Sequence, residues 1–364
     1  IKDEAPNAEA DITGISFEED VLANSYIDLN PSYDESQNAY PIRISVKEGT
    51  DMTSLAPIFE LTPGATISPA SGSVQNFTTP VRYTVTSEDK AWHRVYAITA
   101  REQKASNIPT TYHFEKVRIM QNVWQEFYEE QDSGNELTWA SGNKGFKWAM
   151  SEAATEDYPT TQIDNGKTGK CVKLETRLTG DLGNMVGMPI AAGNLFIGSF
   201  DMLNAITNPL SATRFGTPFY NKPLRLTGYY KYKAGEQFYE NGEYTSRKDI
   251  FNIYAIFYDG VKYDSAGKGT DVTLDGNLPN QNYEHSSMVA LALVSNPQET
   301  EGDEWKFFDI PFDYQRYGKK IDEARLAKGE YKIGIIFASS KDGATFEGAP
   351  GSTLLIDEVE LIYE

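Results

Sequence analysis

Cysteine is almost absent. Cys171 stands alone in 364 residues, so no disulfide can form within the chain and the fold must rest on buried apolar surface. It lies in the strand-like run KCVKLET with no activating motif beside it, and reads as a packing residue. Histidine is scarce too, limited to His93, His113 and His285. None belongs to an HExxH pair and no CxxC exists, which argues against a zinc centre. A GxSxG elbow, a P-loop and a GxGxxG turn are also missing, so the common signatures of serine hydrolases and nucleotide-binding proteins are not there. No run of 18 apolar residues offers a spanning helix. Positive charge is in deficit: 33 Lys+Arg against 53 Asp+Glu leave a net charge of −20. That field repels phosphate backbones and anionic membrane surfaces, which argues against nucleic acid as a partner. Neutral glycans, cations and basic proteins stay open.

What the chain does have is aromatic and β-branched material in short alternating runs. Its 22 Tyr and 18 Phe are enough to build cores. Over residues 1–103, PIRISVKEG alternates Ile42, Ile44 and Val46 against polar neighbours, and VRYTVTSEDKAWHRVYAITA reads as a hairpin turning at Ser87–Lys90. About 100 residues of such strands predict an immunoglobulin-like β-sandwich. Residues 104–111 are polar, contain Pro109, and read as a linker. Residues 112–364 carry further strand patterns separated by Gly-, Asn- and Asp-rich loops, with no helices alternating between them. The expectation is an all-β chain: the sandwich, then a larger β-jelly roll. VRIMQNVWQEFYEE has ambiguous spacing and could hold a helical turn or two. The run from Asp259 to Asn277 reads first as a long loop.

Two constellations stand out as candidate sites. The final run STLLIDEVELIY places Leu355, Val359, Leu361 and Tyr363 on one face by period-2 alternation, with Asp357 in their midst. A buried carboxylate needs a partner. Glu115, in TYHFEKV at the start of the larger domain, would meet it if the first and last strands are neighbours. The two acids could then hold a structural calcium with loop carbonyls, or hydrogen-bond locally without a metal. The second constellation is aromatic. A Trp or Tyr ring can cover the apolar face of a sugar while nearby amides bind its hydroxyl rim. Trp124, Trp139 and Trp148 lie within 25 residues, around the loop-like Asn143, Lys144 and Gly145, and LTGYYKYKAG puts Tyr230 and Tyr232 on one face. These six residues, Trp124, Trp139, Asn143, Trp148, Tyr230 and Tyr232, are the candidate glycan contacts. For hydrolysis a carboxylate pair would be required, and Asp249, Asp259 and Glu243 are the acids to test.

The stretches YHFE, WASGNKG, IAAGNLFIGSF, LRLTGYYKYKAG and IIFASSKDGATFEGAPGSTLLIDEVEL resemble the putative carbohydrate metabolism domain family over roughly residues 112–364. The resemblance implies a jelly roll similar to carbohydrate-binding modules, preceded by an immunoglobulin-like domain. It also implies a lipoprotein on the surface or in the periplasm of a Gram-negative bacterium, anchored by a lipid whose signal precedes Ile1. It supplies no catalytic residues. The expected activity is non-catalytic capture of an oligo- or polysaccharide. Glycoside hydrolysis and a role in surface adhesion, with protein partners, are the alternatives.

Overall fold

The computed structural model describes residues 6–364. Every long element is a strand, and the longest helix has seven residues, so the chain is all-β. It divides into two compact units, one running to Ala105 and one spanning Ser106–Tyr363.

In the first unit the strands Tyr40–Lys47, His93–Gln103, Val81–Thr86 and Thr66–Ser68 form one sheet in that order. Ile12–Ser16 pairs with Ile58–Leu61 in a second. Ile42, Ile44, Val46, Tyr83, Val85, Tyr96 and Ile98 point into one core with Ile12 and Phe59, as alternation demands. Tyr40–Lys47 runs parallel to His93–Gln103, a pairing that alternation alone cannot specify.

The second unit is built on two antiparallel sheets. One has the order Thr160–Asp164, Lys170–Glu175, Thr353–Tyr363, Pro223–Lys233 and Lys306–Pro311, with Thr111–Tyr112 also paired to Thr353–Tyr363. The other has Asn194–Phe196, Tyr331–Ala338, Asn252–Asp259 and Met288–Leu293, with Thr217–Pro218 on Tyr331–Ala338. Val172, Leu226, Tyr230, Leu354 and Ile356 from the first sheet share one apolar cluster with Ile253, Ala255, Phe257, Ile333 and Ile335 from the second. The opening and closing strands of this unit are neighbours, with Tyr112 opposite Val359.

Three local expectations need correction. VRIMQNVWQEFYEE is a hairpin, Val117–Met120 against Trp124–Glu130, because Gln121 and Asn122 both take positive φ (49° and 61°) and make a tight turn. The stretch around Asn143 is a helix, α1 (Asn143–Ala149). Within Asp259–Asn277, Val261–Tyr263 pairs with Gly269–Asp271 as a small hairpin.

The last strand also departs from simple alternation. Leu354 and Ile356 enter the shared core, then Val359 and Leu361 do. The phase slips by one across Asp357 and Glu358, where the pairing with Pro223–Lys233 is irregular and Glu358 adopts φ 47°. Leu355 is therefore half-buried on the opposite face, and Asp357 shares that face rather than the apolar one.

Candidate functional site

Helix α1 is fixed from below by the amide of Asn143. Its Nδ2 donates to the Thr160 carbonyl at 2.8 Å and to the Gln125 carbonyl at 3.3 Å, and its Oδ1 accepts from the Thr160 N–H at 3.1 Å. Gly142 N–H donates to Asn194 Oδ1 at 2.7 Å just before the helix. Phe146 packs inward, edge-on to Tyr158 at 5.2 Å between centroids, with Trp124 in the same small core. Lys147 lies in the last turn, where a cation suits the helix dipole, and donates to the Ser151 carbonyl. With Asn143 and Phe146 anchored, Trp148 is left at the surface, 38% exposed.

Trp148 lines a cavity of about 170 Å³. The cavity lies over the outer face of the second sheet, where Tyr254 and Ile336 belong to a separate apolar cluster with Phe196 and Phe215. Its apolar lining reaches solvent at Trp148, Val186 (37%) and Ile206 (45%), which mark the mouth. Two short helices supply the neighbouring surface, α2 (Gly180–Met185) and α3 (Met202–Thr207). Phe146 and Ala149 also border a second cleft of about 710 Å³, whose lining includes the charged side chains of Glu152, Asp157, Glu175 and Arg177. There Glu175 pairs with Lys173 at 3.0 Å and Arg177 at 3.2 Å. Arg177 also donates to the Glu156 carbonyl, while its Nε has no protein partner.

Of the six residues expected to touch a glycan, the fold brings Trp148 to the surface and encloses the others. Trp139 is 1% exposed, against Tyr112 at 5.0 Å and Phe337 at 6.0 Å. Tyr230 and Tyr232 flank Phe251, each at 4.8 Å, within the shared core. Trp124 is buried beside Phe146, and Asn143 serves as the tether of α1. These five are corrected from contacts to packing and anchoring groups, because a sealed ring offers no face to a sugar. Sequence reasoning missed Phe200, Met202, Ile206 and Phe346, which line the cavity with Trp148. The exposed apolar residues of MLNAIT were the available signal.

Two of the three candidate acids are committed to protein partners. Asp249 is buried and accepts from Ser340 and Ser352 hydroxyls at 2.6 Å and from Ala349 N–H at 2.8 Å, while burial pushes its pKa up. Asp259 takes both guanidinium nitrogens of Arg325 at 2.6 and 2.7 Å. Glu243 lies exposed in a small hairpin, Phe238–Glu240 against Glu243–Thr245.

Glu115 and Asp357 converge on one loop. Asp357 Oδ2 accepts from Thr168 N–H at 3.0 Å and Oδ1 from Glu358 N–H at 2.8 Å. Glu115, exposed and just beyond the first strand, accepts from Lys170 N–H at 2.7 Å. A Cβ on Gly166 would meet Asp357 Oδ2 at 2.7 Å, and one on Gly169 would strike Glu115, so both loop glycines exist for close approach. Burial outweighs the amide donors, which pull the other way, and leaves Asp357 raised to about 6. The same two carboxylates help raise the buried Cys171 thiol to about 12, after burial itself. Among the described residues no three His, Cys, Asp or Glu side chains are grouped to hold a metal. The oxygens named here each take an amide hydrogen from the loop or the strand.

A family model described as "Putative carbohydrate metabolism domain" matches residues 113–362, and one described as "SGBP, N-terminal" matches residues 28–100. The chain is similar to a solved structure from Bacteroides thetaiotaomicron described as a putative glycoside hydrolase, with 45% identity over 100% of this chain and 99% of that one, at a TM-score of 0.63. A structure from Bacteroides vulgatus with the same description shares 50% identity over 71% of this chain and 100% of its own, at a TM-score of 0.66. No curated protein matches. Among the described residues no helix is long and apolar enough to cross a membrane.

Proposed function

The chain belongs to the putative carbohydrate metabolism domain family, and from that premise we propose that it is a non-catalytic glycan-binding protein of the bacterial surface. Capture of an oligo- or polysaccharide, with a lipid anchor holding the full-length protein to the outer membrane, is the function this reading assigns. The observation that carries it is the placement of Trp148, a half-exposed ring at a cavity mouth, on the helix that also walls a cleft lined by carboxylates and a guanidinium. The ring can cover the C–H face of a sugar, and the cleft offers charged partners for hydroxyls. The acids most open to a catalytic role are occupied: Asp249 by four protein donors, Asp259 by Arg325. A calcium ion at Glu115 and Asp357 would brace the loop they already hold and would take no part in capture.

Hydrolysis is the second reading. It draws on the description of both relatives and on Glu152, Asp157 and Glu175 facing one cleft. A glycosidase needs two carboxyls about 5–10 Å apart across the bond to be cut. Glu175 is tied to two cations and Asp157 caps the Ala154 N–H, so both have local duties. A glycan array run beside a reducing-end assay separates the readings. Retention without product is expected, and release of reducing ends overturns the proposal.

A further inference from the structure

We propose that the cavity beside Trp148 is a binding site for an apolar group of about ring size, namely an aryl or branched acyl substituent carried by the captured glycan. This deepens the glycan-binding reading and rests on it for the carrier, while the cavity argument stands on the lining.

The walls are Phe146, Phe200, Phe215, Tyr254 and Ile336, joined at the mouth by Trp148. Thr213 and Lys341 reach the lining as well, but four of its polar side chains already spend bonds on the protein. Asn252 Nδ2 donates to the Tyr283 hydroxyl, Ser340 to Asp249, Thr179 to the Met188 carbonyl, and Asn194 Oδ1 accepts from Gly142. A bare sugar pushed inside would bury hydroxyls with few free partners, which costs about 1–3 kcal/mol for each one left unsatisfied. An apolar group meets no such penalty. The volume of about 170 Å³ is close to the roughly 150 Å³ at which a dry apolar protein cavity takes up benzene. The mouth lies at Trp148, so a sugar stacked on that ring can drop its substituent inward while its hydroxyls stay wet. Apolar surface continues outside the mouth at Leu182 (39% exposed) on α2 and Leu203 (87%) on α3, which suits a substituent larger than the cavity.

Toluene is the probe for the cavity alone. Met188 and Met202 line it, whereas Met52 packs in the first unit. On titration of the full chain with toluene, the methyl resonances of Met188 and Met202 are expected to shift saturably while Met52 stays fixed. Two variants fill the space: Ala205→Phe on the surface helix α3, and Ala338→Leu at the end of the strand Tyr331–Ala338. Both should abolish the response with the Met52 resonance unchanged. No shift in the native chain, or a shift that survives both fillings, overturns the cavity assignment. The second arm compares a polysaccharide carrying aryl ester groups with the same polymer after saponification. At least tenfold stronger retention of the esterified form supports the proposal, and equal retention overturns the substituent. If neither polymer is retained while the methionines still respond to toluene, the glycan reading fails and the apolar site stands.

Discussion

At the scale of single residues, Trp139, just before α1, and Trp148, within it, have opposite tasks. Trp139 is closed in by rings from both ends of its unit, and Trp139→Ala should destabilise the second unit by about 3–5 kcal/mol through lost contact and a residual cavity. Chemical denaturation of the variant measures this. The sequence put both rings in one Gly/Asn/Ser context, and nothing in their spacing separates them. Burial is decided by Phe337, some 200 positions away along the chain. Asp357 is the other residue whose behaviour follows from its surroundings. Its pKa is raised from 3.8 to about 6, so the folded state binds a proton that the unfolded state has released. Stability contributed by this group is therefore present at low pH and lost as pH rises from about 4 to 6, with a size of order 3 kcal/mol. Carbon-detected titration of Asp357 in chelator should give a midpoint near 6. If calcium occupies the loop, its addition should drop that midpoint below 4 and raise the melting temperature. Identical curves with and without calcium end the metal proposal.

At the scale of elements, alternation located the strands well and their irregularities poorly. KCVKLET, LRLTGYYKYK and YKIGIIFA are strands as expected, although the face of Tyr230 and Tyr232 turns into the core. The bulge at Asp357–Glu358 was not legible, because a one-residue slip leaves composition unchanged while exchanging the faces. The turn at Gln121–Asn122 was missed for a related reason: neither residue is glycine, and both still adopt positive φ. Helix α1 is too short to show a period. Its stability comes from the Asn143 amide, which no helix propensity records. Asn143→Ala removes three hydrogen bonds and leaves the buried Thr160 N–H and C=O short of a partner. The expected cost is about 2–4 kcal/mol, concentrated locally. Hydrogen exchange should quicken over residues 143–150 before the central strands respond, and glycan retention should fall because Trp148 loses its platform.

At the scale of the whole molecule, each unit has its own apolar core, and the cavity, the cleft and α1 all belong to the second. A chain of residues 106–364 is therefore expected to bind the same glycan within about twofold of the full chain. Calorimetry on the two proteins checks this. The all-β class was readable from strand-length patterns, and the adjacency of the unit's first and last strands followed from the expected jelly roll rather than from any residue in them. The binding region was only partly readable. It is assembled from stretches near residues 142–149, 179–196, 200–215, 252–254, 276–279 and 336–346, with Pro159, that come together only when the sheets have formed.

The most direct test of the account is the affinity of the Trp148→Ala variant for whichever glycan the native chain retains. The ring is half-exposed and outside the cores, so the variant should melt as the native protein does. Its affinity should fall at least tenfold, about 1.4 kcal/mol. An unchanged affinity at an unchanged melting temperature would place the glycan elsewhere and contradict the account.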